Sequence, residues 1–221
     1  MASDDIEQKS WAAYGWIIII GSLAAVAGMA VHPTGGPDIM ENVRNMVENG
    51  DFNMAVHFGL LTTYLILLLG FVGFSDWLGL NRMFVRGGLI AYCASVVAGF
   101  AAAISGPIAM RTIAFGYAQA GPEQADYIRA AFRVAGAQNF AWGRAWMIVL
   151  SGAILLWSVE LIRREGMARY LGYIGLLVGA AGVIGIPLAL IPLSPSSLVF
   201  LVLGQTAWSI GAGVLLVRSR V

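Results

Sequence analysis

Long stretches without Asp, Glu, Lys or Arg constrain the fold of this chain more than any other feature. Residues 10–37 and 170–217 contain no charged side chain, and both stretches exceed the roughly 20 apolar residues that cross a hydrocarbon core of about 30 Å. The prolines of "IPLSPSS" at 191–197 divide the second stretch, because proline lacks a backbone donor and disfavours helix in the residue before it. Six membrane-spanning helices are therefore predicted, at residues 11–32, 54–77, 84–110, 140–162, 170–191 and 197–217.

The composition supports the same class of protein. Hydrophobic residues make up 59% of the chain and charged residues 11%, whereas soluble proteins average about 45–50% and about 25%. We expect an all-α polytopic bundle, in which residues 1–221 form one integral membrane domain of the bacterial inner membrane. Eight of the 13 Lys and Arg residues fall on the side that holds both ends of the chain, so the positive-inside rule places both termini in the cytoplasm.

Two segments on the predicted outer face have the pattern of amphipathic helices. In 38–50, an acidic first turn precedes apolar residues at helical spacing, and Gly50 can end the helix. In 122–135, Pro122 and Glu123 suit a first turn and again precede one apolar face. The sequence thus predicts two short helices at the membrane interface, as struts or as a lid.

The tetrapeptide "MAVH" occurs at 29–32 and again at 54–57, and the two copies contain both histidines of the chain. His32 ends the first predicted span and His57 begins the second, so both lie on one side of the membrane. Residues three apart share a helix face, and antiparallel helices would bring Met54 level with His32 and His57 level with Met29. Each residue can also be purely structural, but an imidazole within an apolar span is costly and suggests a function.

Three metal centres suit these side chains to different degrees. Haem b accepts one or two imidazoles, or an imidazole with a thioether, and Arg111 and Arg144 near the same face could pair with its propionates. Copper(I) would suit the combined set of His32, His57, Met29 and Met54. Zinc is disfavoured because neither Cys nor carboxylate is at hand to complete a tetrahedral site.

Two resemblances agree with a site at this position. The stretch "MAVHFGLLTTYLILLLGFVGFSDWLG" resembles uncharacterised six-helix bacterial inner-membrane proteins in which "HP" closes one span and a His opens the next. Over its first four spans the chain also resembles styrene oxide isomerase, a helical membrane enzyme, through that His and the "GFSD" turn. This second resemblance implies that His57 is the axial ligand of a haem b whose iron acts as a Lewis acid.

Two classes of function follow from the sequence. The first is a haem or metal protein, an isomerase or oxidoreductase when it is an enzyme, that acts on a lipophilic small molecule from the bilayer. The second is a non-catalytic membrane subunit whose 28 glycines allow close packing with partner helices or with copies of itself. The lipid bilayer is the expected surrounding in both cases, and no nucleic acid is expected as a partner. The sequence does not decide whether the protein is an enzyme.

Overall fold

The computed structural model describes residues 2–33, 35, 38–118, 122–191 and 195–219. Every regular element within these residues is helical, which confirms the predicted all-α class. The α-helices are α1 (Ala2–Ala30), α2 (Ile39–Leu78), α3 (Met83–Ala103), α4 (Ala109–Ala118), α5 (Ala125–Leu161), α6 (Met167–Ala180) and α7 (Pro195–Arg218).

Six of the helical segments are long and apolar enough to span a membrane, as the uncharged runs predicted. The third segment joins α3 to α4 through a π-helical turn, Ile104–Ile108, and the fifth extends α6 by another, Ala181–Gly185. Pro107 lies inside the first of these turns, and its missing donor and bulky ring account for the local widening of the helix. Among the described residues, the number of candidate spans therefore agrees with the predicted six.

The prediction of two separate amphipathic helices was wrong. Residues 39–50 continue without a break into the second span, and residues 125–135 continue into the fourth. α2 has 40 residues, about 60 Å of helix, which is twice the usual hydrocarbon thickness. α5 has 37 residues, and the α3–α4 segment has 36. Three helices therefore extend beyond the other spans at one end of the bundle, which we call the cleft end.

A small apolar cluster holds these three extensions together. Val43 of α2, Ala114 of α4 and Phe132 of α5 are buried there, at 1%, 0% and 3% exposure. Ile39 and Met46 pack against them from α2. The apolar faces predicted for 38–50 and 122–135 are thus buried against each other and against α4. This packing explains why the helices continue instead of turning along the membrane.

At the opposite end α1 begins and α7 ends. α1 lies between α2 and α7, and its crossing with α7 requires glycine on both helices. A Cβ at Gly15 would lie 2.6 Å from the carbonyl oxygen of Gly213, and one at Gly213 would lie 2.7 Å from the carbonyl oxygen of Gly15. Both distances are below any real carbon–oxygen contact, so the absence of side chains sets how closely these backbones approach.

An aromatic cluster fills the middle of the bundle. The Trp157 and Trp208 rings stack with centroids 6.0 Å apart, and Phe71 stacks on Trp157 at 5.0 Å. The indole of Trp157 donates a hydrogen bond to the Ser75 hydroxyl at 3.1 Å, so its only polar atom is satisfied in an apolar interior. This cluster joins α2, α5 and α7 beneath the site described next.

Candidate functional site

The two histidines of the repeated tetrapeptide meet at the cleft end. Their Nε2 atoms lie 2.9 Å apart, and the ring centroids are separated by 4.5 Å. His32 lies two residues after the end of α1, whereas His57 lies eighteen residues beyond Ile39, about 27 Å into α2. The predicted meeting of the two copies therefore occurs through a direct imidazole–imidazole hydrogen bond.

The hydrogen-bond partners of the two histidines indicate which ring nitrogens carry protons. Nδ1 of His57 lies 2.9 Å from the carbonyl oxygen of Asn53, which can only accept, so this nitrogen carries a proton. In the neutral ring Nε2 of His57 is then an acceptor, and Nε2–H of His32 donates to it. Burial lowers the pKa of the His32 imidazole below its ordinary value of 6.5, and a backbone hydrogen bond at Pro33 opposes this shift. Proline has no backbone N–H, so the Pro33 partner is a carbonyl that can only accept. Donation to both carbonyls and across the Nε2–Nε2 contact needs three protons, one more than two neutral rings hold, and burial opposes the charge of that third proton.

A row of asparagines leads from the surface down to this pair. They occupy α2 at intervals of three, four and four residues, which places them on one helix face, with His57 a further four residues on. Oδ1 of Asn53 is buried and has no hydrogen-bond partner within the described residues. The asparagines of this face are Asn42, Asn45, Asn49 and Asn53.

The asparagine face forms one wall of a cleft of about 580 Å³. Phe132 and Gly136 of α5 line the cleft opposite α2, and Gly106 and Pro107 contribute from the π-helical turn. No Asp, Glu, Lys or Arg is present among its lining residues within the part of the chain that the structure describes. The cleft thus offers many hydrogen-bonding groups and no formal charge.

Asn139 of α5 adds a fifth carboxamide at the floor of the cleft. It fits there because residue 106 is glycine, since a Cβ at that position would lie 2.9 Å from both Cγ and Oδ1 of Asn139. The π-helical turn brings Gly106 to this position, and such turns are frequent at functional sites.

A smaller, mainly apolar cavity of about 170 Å³ lies on the other side of the histidines. His32, His57 and Asn139 line both spaces and so form the boundary between them. Leu60 and Trp146 line the apolar side. The further lining residues of this inner cavity are Met29, Leu61, Tyr64, Gly99, Ala102, Ala103 and Gly143.

The two methionines of the repeat are placed differently. Met29 lines the inner cavity together with His32 and His57, and it is 36% exposed. Met54 is half-buried and lines neither the cleft nor the inner cavity. The structure therefore brings three of the four predicted ligand-type side chains together.

The two arginines predicted to accompany a cofactor are engaged elsewhere. Arg111 forms an ion pair with Asp51, and its guanidinium lies 4.8 Å from the centroid of the Phe115 ring. Arg144 donates a hydrogen bond to the carbonyl oxygen of Ile186 at 3.3 Å, beside the second π-helical turn. Neither arginine lines the cleft or the inner cavity.

The pair has the spacing of a hydrogen bond and not of metal ligands. Two nitrogens on one tetrahedral metal lie about 3.3 Å apart, and two opposite axial nitrogens about 4 Å apart, at metal–nitrogen bonds of about 2.0 Å. Within the described ranges, no three His, Cys, Asp or Glu side chains lie together as a metal-binding group. A bis-histidine haem would therefore require the rings to separate by about 1 Å from the observed 2.9 Å.

The asparagine face was missed from the sequence, although "NVRNMVENGDFN" carries its signal. Asparagine is a poor helix former, so four of them at helical intervals indicate a functional face rather than a propensity for helix. The approach of Gly106 to Asn139 had no sequence signal, because the two residues are 33 positions apart and belong to different spans.

The fold and the site define an all-α, multi-pass integral membrane protein with an uncharged polar cleft above a histidine pair. Comparison with protein-family models, with curated proteins and with solved structures gave no match. The resemblance to styrene oxide isomerase thus stays a prediction.

Proposed function

We propose that the protein binds a lipophilic small molecule with an uncharged, hydrogen-bonding head group. The observation that carries this proposal is the position of the His32–His57 hydrogen bond at the boundary between the asparagine-lined cleft and the apolar inner cavity. A molecule that places its head in the cleft and its apolar part beyond the histidines would match both surfaces.

The chemistry of the cleft selects the kind of head group. Carboxamides both donate and accept hydrogen bonds, and the unpaired Oδ1 of Asn53 requires a donor. Because no charged side chain lines the cleft within the described residues, an ionised head would lose its hydration without gaining a counter-ion. Amides, alcohols and similar neutral groups are therefore favoured over carboxylates and phosphates.

The histidine pair gives this site an acid–base group. The neutral pair holds two protons and can take a third from a bound molecule, because the carbonyls of Asn53 and Pro33 at its two ends accept hydrogen bonds from the protonated form. The protonated pair can return that proton to another atom of the same molecule. As an enzyme, the protein would therefore be an isomerase that moves a proton from one atom of its substrate to another.

The binding experiment uses purified protein in lipid nanodiscs at pH 8.5 and three probes with ten carbons: decanamide, decanoate and decane. Decanamide should raise the melting temperature in a concentration-dependent manner, since ligands of the folded state stabilise it by mass action. Asn49→Ala and Asn139→Ala should each reduce this effect. Asn81→Ala, an identical change at an exposed turn outside the cleft, should leave it unchanged.

Equal stabilisation by decane and decanamide would contradict a role for the head group. So would equal responses of the Asn139→Ala and Asn81→Ala variants. A larger effect of decanoate than of decanamide would contradict the preference for an uncharged head.

A metal at the histidine pair is the second candidate function. The two Nε2 atoms lie 2.9 Å apart and would have to separate to share a metal, but with Met29 in the same cavity they form a donor set that suits copper(I). Protein from copper-supplemented cells should then contain one copper per chain by elemental analysis. His57→Ala should abolish it, Met29→Leu should reduce it, and Met54→Leu should not change it. Equal copper content in wild-type protein and His57→Ala would reject this candidate.

Haem b fits the observed arrangement less well, because the histidines contact each other and the two arginines are paired away from the cleft. An absorption spectrum tests the expectation directly. A Soret band that is lost in His57→Ala would support haem, and wild-type protein without that band, from cells supplied with haem precursor, would exclude it.

We further propose that the cleft end faces the outside of a bacterial inner membrane and that both termini are cytoplasmic. The bias in Lys and Arg toward the other end supports this orientation. In the alternative class of function, a membrane subunit, the same cleft would receive part of a partner protein instead of a small molecule.

A further inference from the structure

At the end of the bundle opposite the cleft, the α2–α3 turn, the α5–α6 turn and the end of α7 enclose a basic pocket of about 620 Å³. Its basic residues are Arg82, Arg163, Arg164 and Arg218, and Glu165 is the carboxylate that lines it with them. They come from three segments that are far apart in the sequence, so the pocket exists only in the folded bundle.

Two of the four arginines share one carboxylate. Glu160, which is 2% exposed, accepts hydrogen bonds from Arg82 and from Arg163, each at 3.1 Å. The carboxylate lies behind the pocket and balances one of the two charges. This buried group therefore fixes the positions of two guanidinium groups at the wall while leaving an excess of positive charge.

Arg164 is held without any ion pair among the described residues. Its Nη2 donates to the backbone carbonyls of Trp77 and Leu78, at 3.1 and 3.3 Å, and its guanidinium lies 4.1 Å from the centroid of the Trp77 ring. Burial lowers the pKa of Arg164, and the positive charge of Arg82 acts in the same direction, while Glu160 opposes it. Arg164 is thus a half-buried, pre-positioned cation that an anion would stabilise.

Apart from Ser219, the remaining wall of the pocket is apolar. Trp77, Met167 and Leu215 line it, and they belong to three helices that are long and apolar enough to span the membrane. The pocket therefore lies where head groups meet acyl chains, and an indole at this level is typical of the membrane interface.

We propose that this pocket binds a phosphate group, carried by the head group of an anionic phospholipid. Arginine forks match phosphate oxygens in geometry and charge, and basic pockets between membrane helices are suited to such head groups. The apolar wall favours a lipid over a free anion, because acyl chains can continue along Met167 and Leu215. The site is separate from the cleft and does not depend on its proposed function.

The experiment measures lipid binding to the full-length protein in a zwitterionic detergent by native mass spectrometry. The probes are phosphatidylglycerol and phosphatidylcholine with the same acyl chains, and inorganic phosphate is tested separately by its effect on melting temperature. Phosphatidylglycerol should bind more tightly than phosphatidylcholine. Arg164→Gln and Arg218→Gln should each weaken this binding about fivefold, the effect of one basic side chain near a head group.

Arg86→Gln is the matched control, because Arg86 is exposed at the same end of the bundle and does not line the pocket. It should bind phosphatidylglycerol as the wild type does. Arg218 is exposed on the last turn of α7, so its replacement should not impair folding even if that of Arg164 does. Size-exclusion chromatography checks folding for every variant.

Equal weakening by Arg86→Gln and Arg218→Gln would overturn the proposal, since it would indicate only general surface charge. Equal affinity for the two lipids, together with no effect of inorganic phosphate, would also overturn it. Stabilisation by inorganic phosphate that is lost in Arg218→Gln, without a preference between the lipids, would support a phosphate site but overturn the lipid as its source.

Discussion

The side chain of Asn139 lies against the backbone of Gly106, so closely that a single methyl group at residue 106 would meet its Cγ and Oδ1 at 2.9 Å. This contact joins α5 to the π-helical turn that contains Pro107. It also fixes the carboxamide that lies at the floor of the cleft beside the histidines. The shape of the cleft thus depends on the absence of a side chain at one position.

Gly106→Ala should therefore displace Asn139 and reduce the stabilisation by decanamide. We also expect a loss of about 1–3 kcal/mol in the free energy of unfolding, as for other overpacked sites. Gly136→Ala is the control, because residue 136 lines the same cleft but a Cβ there meets nothing within 4 Å. Thermal denaturation with and without decanamide measures both effects, and identical behaviour of the two variants would contradict the prediction.

The histidine pair should make stability depend on pH. Burial lowers the pKa of His32 from 6.5, so the unfolded chain takes up a proton at a higher pH than the folded protein does. The free energy of unfolding therefore decreases as the pH falls through that value. The melting temperature in detergent should thus be lower at pH 5.5 than at pH 7.5. His32→Gln should reduce this difference and Asn81→Ala should not, whereas a His32→Gln variant with the full wild-type dependence would show that another group is responsible.

The crossing of α1 and α7 should not tolerate a side chain at residue 15 or residue 213. Gly15→Ala would place its Cβ 2.6 Å from the carbonyl oxygen of Gly213, so the helices must separate. We expect a loss of about 1–3 kcal/mol, measured by thermal denaturation in detergent. Gly59→Ala on α2 should be neutral or slightly stabilising, because its Cβ meets nothing within 4 Å and alanine favours helix. A Gly15→Ala variant as stable as Gly59→Ala would show that the crossing is not close in solution.

Glu160→Gln should destabilise the end of the bundle that holds the basic pocket, which we call the basic end. It removes the charge that Arg82 and Arg163 share, although both guanidinium groups are about half-exposed and water compensates in part. A loss of about 1–3 kcal/mol is expected from the charged hydrogen bonds. Glu165→Gln, at an exposed position of the same turn, should change stability far less. Equal effects of the two changes would indicate that Glu160 contributes no special stabilisation.

The proposed orientation can be tested with single cysteines after replacement of Cys93 by Ala. Asn81 lies in a turn at the basic end, and Asp126, whose side chain is 92% exposed, lies near the start of α5 at the cleft end. Each is replaced by Cys in a separate variant. A membrane-impermeant maleimide added to intact cells should label residue 126 and not residue 81. The reverse pattern would place the cleft in the cytoplasm.

The sequence by itself determined the fold class and the number of spans, because the length of an uncharged run directly reflects the thickness of hydrocarbon to be crossed. It also determined that His32 and His57 lie at one end, since consecutive spans are antiparallel. It could not show where the helices end, because the extension of α2 over residues 39–53 depends on the packing of Val43 with Ala114 and Phe132. These contacts come from distant parts of the chain.

The tertiary structure alone decided what surrounds the histidines. The sequence grouped them with Arg111 and Arg144, but the arginines pair with Asp51 and with the carbonyl of Ile186. A long guanidinium side chain has many rotamers, and its direction is set by whichever partner the neighbouring helices present. The carboxamides of α2 have no such freedom, since a short side chain stays on its own helix face. For that reason the spacing of these asparagines in the sequence is enough to indicate a polar helix face. The approach of Gly106 to Asn139, in contrast, is visible only in the folded bundle.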